Sequence, residues 1–200
     1  MLIPNWLSPL KHPCESPKVH SENTKAKLTY LFVGWIVESK GVREIINAIE
    51  GSEILRRHQF ILAGDGDLRI ELEEICNSKQ LKNILFLGWQ SSDRIEELMR
   101  SSDVFVFPSH AEGFPNVIVE ALAAALPIVS TGVGGIEDSA IHEDNAFIVP
   151  VRDSNALKDA LELLAANSDL RDRFSKNSLR IFNERHILDT NCSKIMDLFL

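Results

Sequence analysis

Long apolar runs are missing from this sequence. No stretch approaches the ~20 residues that a membrane-spanning helix needs. The opening residues carry Pro4, Pro9 and Pro13 where a signal peptide would have its apolar core. The expectation is a soluble chain without a transmembrane segment. Positive charge is also in short supply: 21 Lys and Arg stand against 29 Asp and Glu, a formal net charge of −8. A nucleic-acid-binding domain normally shows a basic patch or stripe, so this balance argues against a nucleic-acid partner. It leaves room for a local cationic pocket that takes phosphate. Cysteine is scarce and odd in number. Cys14, Cys76 and Cys192 lie far apart with no metal-ligand spacing, which points to a reduced, cytoplasmic setting and no metal site. Internal repeats and low-complexity tracts are absent as well.

What is present is an ordinary globular composition, with 44% apolar and 25% charged residues in a chain of 200. That is enough for a sizeable core in one domain with a tail. Residues 1–27 hold four prolines and no sustained period, and read as a linker or arm. From Thr29 a regular alternation begins. Short apolar runs at Thr29–Val33, Gln59–Ala63, Asn83–Leu87, Val104–Phe107 and Ile128–Ser130 have strand length and composition. A sixth strand is expected at Ala146–Val149. Stripes at helical spacing lie between strands, such as Val42, Ile45, Ile46 and Ile49, or Ile95, Leu98 and Met99. After the sixth strand the pattern is helical, with Leu157, Ala160, Leu161 and Leu164 on one face, then Leu170 and Phe174.

Strand–helix alternation predicts an α/β fold: a Rossmann-like, doubly wound parallel sheet over residues 28–167, with extra helices over 168–200. Ligands of such sheets bind outside the carboxyl ends of the strands. Here those ends lead into Gly34–Lys40, Gly64-Asp65-Gly66, Gly88-Trp89, Ser109–Asn116 and Thr131–Gly135, which places a binding crevice along one sheet edge.

Glu112-Gly113-Phe114-Pro115-Asn116 and the apolar segment after it carry the strongest chemical signal. Pro115 suits the first position of a helix, where its missing N–H removes nothing. Free amides at a helix start make a phosphate site, and Gly113 has no side chain to obstruct approach. Glu120 is the sole charge among Val, Ile, Leu and Ala, and an unpaired buried carboxylate is expensive. It is therefore expected to have a hydrogen-bonding partner. It shares a helical face with Asn116 and leans toward the crevice. Glu112 and Glu120 can accept hydrogen bonds at two places on one polar ligand. The plainer alternative is a Glu120 that caps neighbouring backbone and a solvated Glu112. His110, two residues before Glu112, is either a base or a structural loop histidine, and His142 and His186 have no evident partners. Gly64-Asp65-Gly66 is half of a dinucleotide fingerprint, but position 69 is Arg and the strand before it is the second, which argues against NAD.

Glu112 to Glu120 resembles the E-x7-E motif of retaining, nucleotide-sugar-dependent glycosyltransferases with the two-domain GT-B fold. Phe32-Val33-Gly34 with Lys40-Gly41-Val42, Ala63-Gly64-Asp65-Gly66, Phe86-Leu87-Gly88, Pro108-Ser109, Ala124 to Val129 and Val133-Gly134-Gly135-Ile136 fall in that family's order, across nearly the whole chain. The resemblance implies a nucleoside-diphosphate sugar as donor and neither cofactor nor metal. It implies that Glu112 contacts hydroxyls of the transferred sugar and Glu120 the ribose hydroxyls. Gly113, Phe114, Pro115 and Asn116 would lie beside the diphosphate, and Lys40 would neutralise it; without the resemblance Lys40 reads as a surface lysine. Gly34, Gly64 and Gly66 fall among the donor-binding positions. Trp35 stands where the family usually has an arginine, which removes one cation. An indole there packs against sugar, against a partner surface, or into the core.

Leu2-Ile3-Pro4-Asn5 resembles the family's interdomain linker, so the matching region corresponds to the C-terminal, donor-binding domain. The resemblance implies an acceptor-binding N-terminal domain or a separate subunit as partner, any membrane contact being that partner's. It also implies that the last helices pack back toward that partner, leaving Phe182, Ile195 and Phe199 incompletely covered. Three functions follow: the donor half of a hexosyltransferase in polysaccharide or glycoconjugate synthesis, a truncated remnant that binds nucleotide sugar without transfer, or, less favoured, a GT-B-like nucleotide-sugar epimerase.

Overall fold

The computed structural model describes Ser16 and residues 27–186. The arm over 1–26, apart from Ser16, lies outside the described residues, as do Cys14, Cys192, Ile195 and Phe199.

Six strands form one parallel sheet: β1 (Thr29–Val33), β2 (Gln59–Ala63), β3 (Ile84–Gly88), β4 (Val104–Phe107), β5 (Ile128–Thr131) and β6 (Ala146–Val149). Their spatial order is β3-β2-β1-β4-β5-β6, and every neighbouring pair is parallel. The helices are α1 (Val42–Glu50), α2 (Arg69–Ser78), α3 (Ser92–Ser101), α4 (Asn116–Ala123), α5 (Ser154–Ala166) and α6 (Ser168–Arg185). The fold is the expected Rossmann-like α/β sheet. The third strand starts one residue later than its apolar run, because Asn83 is recruited as a brace. Its Nδ2 donates to the carbonyls of Leu55 and His58, at 3.1 and 2.9 Å. Between β5 and β6 there is only a 3-10 turn at Ile136–Asp138.

The core follows the two periodicities. In β4 all four residues are buried, as a central parallel strand covered on both faces requires. Val42, Ile45, Ile46 and Ile49 of α1 bury completely, which makes that stripe the inward face of an amphipathic helix. Tyr30 stacks on Phe60 at 4.6 Å, and Phe107 lies against both Phe32 and Phe105. At the far end α6 packs on α4 and α5. Phe182 is only 7% exposed, so the expectation that it lacks cover does not hold: Phe174, Leu179, Ile181 and Phe182 seat α6 on the sheet domain itself.

Candidate functional site

The strand order reverses between β1 and β4. Their crossovers leave in opposite directions, and a crevice opens outside their carboxyl ends. The described structure has a cleft of about 610 Å³ there, lined among others by Gly34, Trp35, Lys40, Phe107, Glu112, Asn116 and Glu120. Helix α4 forms one wall along its length, from Pro115 through Glu120 to Ala123 and Ala124.

Lys40 ends a 3-10 turn, and Gly41 follows in the left-handed region at φ 69°. A Cβ at Gly41 would lie 2.0 Å from the Pro108 carbonyl oxygen. Only glycine lets the Lys40 loop approach the β4 loop this closely. From there the Lys40 ammonium lies 5.6 Å from the Phe107 ring centroid and pairs with Glu112 Oε1. Ser109 Oγ donates to the same oxygen at 2.7 Å. The two side chains are 20% and 10% exposed, so each supplies the countercharge that a largely buried ion needs.

The Glu112–Asn116 loop is fastened to the loop after β5. Gly135 N–H donates to the Gly113 carbonyl at 2.7 Å. Gly134 sits at φ 60°, and a Cβ there would lie 2.3 Å from the Glu112 carbonyl oxygen. Phe114 tilts against the His186 ring at 6.2 Å, which ties the loop to the end of α6. Gly113 faces open space. Pro115 is extended, with ψ 118°, and stands just outside α4 rather than in its first turn; the helix begins at Asn116.

Glu120 is half-buried in the cleft wall. The protein partner expected for its carboxylate is not there: no side-chain hydrogen bond reaches it from any described residue. Burial without a partner pushes its carboxyl above the usual range. Its charge is left to solvent and to whatever fills the cleft.

Trp35 lines the cleft and is 66% exposed, which removes the option that it belongs to the core. Gly64 and Gly66 are not brought to the cleft. Gly64 N–H donates to the Gly88 carbonyl, and the turn they frame holds the segment after β1, with Ile36 N–H donating to Asp65 at 2.9 Å and Leu68 N–H to Ile36. His110 is not among the cleft-lining side chains; its Nε2 lies 3.1 Å from Glu44 Oε1. His142 accepts from the Ile148 amide, and His186 pairs with Ser139 at 2.9 Å. Cys76 is buried, which raises its thiol to about 11, the inert form of the residue. Among the described residues no group of His, Cys, Asp and Glu is placed to hold a metal, and no helix is long and apolar enough to cross a membrane.

Sequence reasoning missed the wall opposite α4, where Trp89, Gln90, Glu96 and Arg100 line the cleft. The Gly88-Trp89 loop was a signal for part of it. Helical spacing in α3 marks only its apolar stripe, of which Leu98 and Met99 are buried.

A parallel sheet in this order, with a cleft at its switch point that the start of α4 lines, defines a Rossmann-like α/β domain. Residues 15–180 match the model of one family, glycosyl transferases group 1. The chain belongs to that family. It is 30% identical over 172 residues to an uncharacterized glycosyltransferase of Methanocaldococcus jannaschii, covering 84% of this chain and 44% of that protein. It is 28% identical over 184 residues to the O-antigen chain mannosyltransferase C of Escherichia coli, covering 90% and 48%. The chain thus spans about half the length of these curated relatives. Its fold matches Anabaena Alr3699/HepE in complex with UDP and glucose with a TM-score of 0.76 at 21% identity, over 88% of this chain and 49% of that one. It also matches the C-terminal domain of a glycosyl transferase group 1 protein, LpcC of Francisella tularensis, with a TM-score of 0.77 at 23% identity, over 88% and 96%.

Proposed function

We propose that this chain is the donor-binding domain of a retaining glycosyltransferase that moves a hexose from a nucleoside diphosphate to an acceptor hydroxyl. The observation that carries the proposal is the Glu120 carboxylate, half-buried in the cleft wall and without a hydrogen-bonding partner among the described residues. Vicinal ribose hydroxyls supply the donors it lacks. With the ribose at Glu120, the diphosphate extends toward Lys40 and the start of α4, and the base toward Trp89 and Gln90 at the other end of the cleft. Glu112 holds hydroxyls of the transferred sugar. In transfer the bond from the anomeric carbon to the diphosphate oxygen breaks, and the acceptor oxygen bonds that carbon as its proton passes to the departing diphosphate. Lys40 and the α4 amides stabilise the departing diphosphate, an electrostatic role. The reaction uses no metal or other cofactor in this proposal.

Transfer also needs an acceptor held against the donor, since positioning accounts for much of the rate. We assign that part to an N-terminal domain or separate subunit, which also supplies any membrane contact at a cytoplasmic surface. The setting we favour is polysaccharide or glycoconjugate synthesis, in keeping with the O-antigen relative. Trp35, which brings no cation to the diphosphate, favours a second function, donor binding without transfer. Calorimetric titration with UDP-, GDP- and ADP-sugars tests the proposal. Saturable binding of one nucleotide class is expected, and no binding to the folded chain at millimolar ligand would overturn it.

A further inference from the structure

Two segments, 39–44 and 108–112, meet along a seam that carries the Lys40–Glu112 ion pair of the cleft. Ser39 O accepts from the His110 amide at 2.7 Å, and Ser109 Oγ lies 2.9 Å from it. Gly41 lies against the Pro108 carbonyl, and Lys40 pairs with Glu112. On the same seam Glu44 Oε1 and His110 Nε2 are 3.1 Å apart, with side chains 11% and 7% exposed. Neither lines the cleft. Their other polar atoms, Glu44 Oε2 and His110 Nδ1, are buried and have no partner among the described residues.

A buried carboxylate and imidazole that satisfy only half of their hydrogen-bonding capacity are a poor device for stability. An apolar pair of similar volume would hold the two segments at least as well. What the polar contact adds is direction. It joins the first turn of α1, four residues after Lys40, to the residue two before Glu112, and so restricts how the segments slide or rotate against each other.

We propose that Glu44 and His110 are positioning residues, which hold Lys40 and Glu112 in the geometry that receives the diphosphate and sugar of a nucleotide-sugar donor. The assignment rests on the donor-site reading above. Neither residue touches the ligand; both act through the pair they orient.

A double-mutant cycle tests this on the full chain, with UDP, GDP and ADP as titrants. Glu44→Leu is expected to weaken binding of the preferred diphosphate about tenfold, within the range seen for coupled neighbours. Glu44→Gln, whose amide oxygen still accepts from His110, retains most of the affinity. In a Lys40→Ala background Glu44→Leu adds no further loss. An effect that adds fully to that of Lys40→Ala, or no effect at all, overturns the proposal. A second measurement needs no ligand: acylation of the Lys40 amine, read by peptide mass spectrometry against Lys158 in the same sample. Lys40 labels several-fold faster in Glu44→Leu and at the wild-type rate in Glu44→Gln. Unchanged labelling in Glu44→Leu overturns the proposal even where no diphosphate binds, a result that separately sinks the donor reading. Should Glu44→Leu fail to fold, Glu44→Met and His110→Asn carry the same two tests.

Discussion

Lys40 and Glu112, 72 residues apart in sequence, meet as an ion pair at the mouth of the cleft, with Ser109 donating to the same carboxylate. The pair couples α1's loop to α4's loop, and each charge serves the other while no diphosphate is bound. Lys40→Ala and Glu112→Ala should each destabilise the chain by about 1–3 kcal/mol, because each strands a largely buried partner. The double variant should lose less than the sum of the two. Urea denaturation of the four proteins checks this, and strict additivity would contradict the coupling.

On the proposed function, Glu120 trades stability for binding. Burial without a partner raises its carboxyl above the ordinary carboxylate value, so the folded chain holds that proton more tightly than the unfolded chain. By linkage, Glu120 lowers stability as pH rises from the unfolded to the folded titration point, and its full penalty stands above both. Glu120→Gln should therefore gain stability over wild type, by about 0.5–2 kcal/mol near pH 7. The gain should shrink as the pH falls through the carboxylate range. Thermal melts at pH 7 and pH 4 measure the two differences, and an equal gain at both would contradict the assignment.

Trp35 is exposed in the cleft beside Lys40. On the proposed function, Trp35→Arg adds a cation to the cleft and should tighten nucleoside diphosphate binding by about three- to tenfold, less so at high salt. Its stability should stay within about 0.5 kcal/mol of wild type, as at other exposed positions. Titration at two salt concentrations checks the direction and its electrostatic origin.

Gly41 seats the Lys40 loop against Pro108. Gly41→Ala forces a side chain into a left-handed residue 2.0 Å from a carbonyl oxygen, and should destabilise the chain by about 2–4 kcal/mol. Gly113→Ala, where a Cβ meets nothing within 4 Å, should cost less than about 1 kcal/mol. Comparative denaturation of the two variants distinguishes a packed glycine from an open one.

The strands were legible because each is a short apolar run bounded by glycine or polar residues, a local pattern that needs no tertiary information. Lys40, Glu112 and Glu120 were legible through their ordered motifs, and Glu120 also as a lone charge in an apolar helix. That Glu120 has no partner among the described residues was not, since only packed neighbours reveal whether a carboxylate is satisfied. That Gly64 and Gly66 lie off the described cleft was not legible, because strand-end glycines serve both ligand approach and loop bracing, and sequence does not separate the two. The Glu44–His110 contact joins residues 66 apart, and the α3 wall depends on how that helix packs beside α4. Neither leaves a periodic trace.

The most direct test of the account removes the hydroxyls that Glu120 is assigned to hold. Wild type and Glu120→Ala would be titrated calorimetrically with the preferred nucleoside diphosphate and with its 2′,3′-dideoxy form. The account predicts that wild type loses about tenfold or more in affinity when the hydroxyls are removed, since a carboxylate is left desolvated and unpaired. It predicts that Glu120→Ala binds both forms alike, at the weaker level. Equal affinity of wild type for the two nucleotides would contradict it.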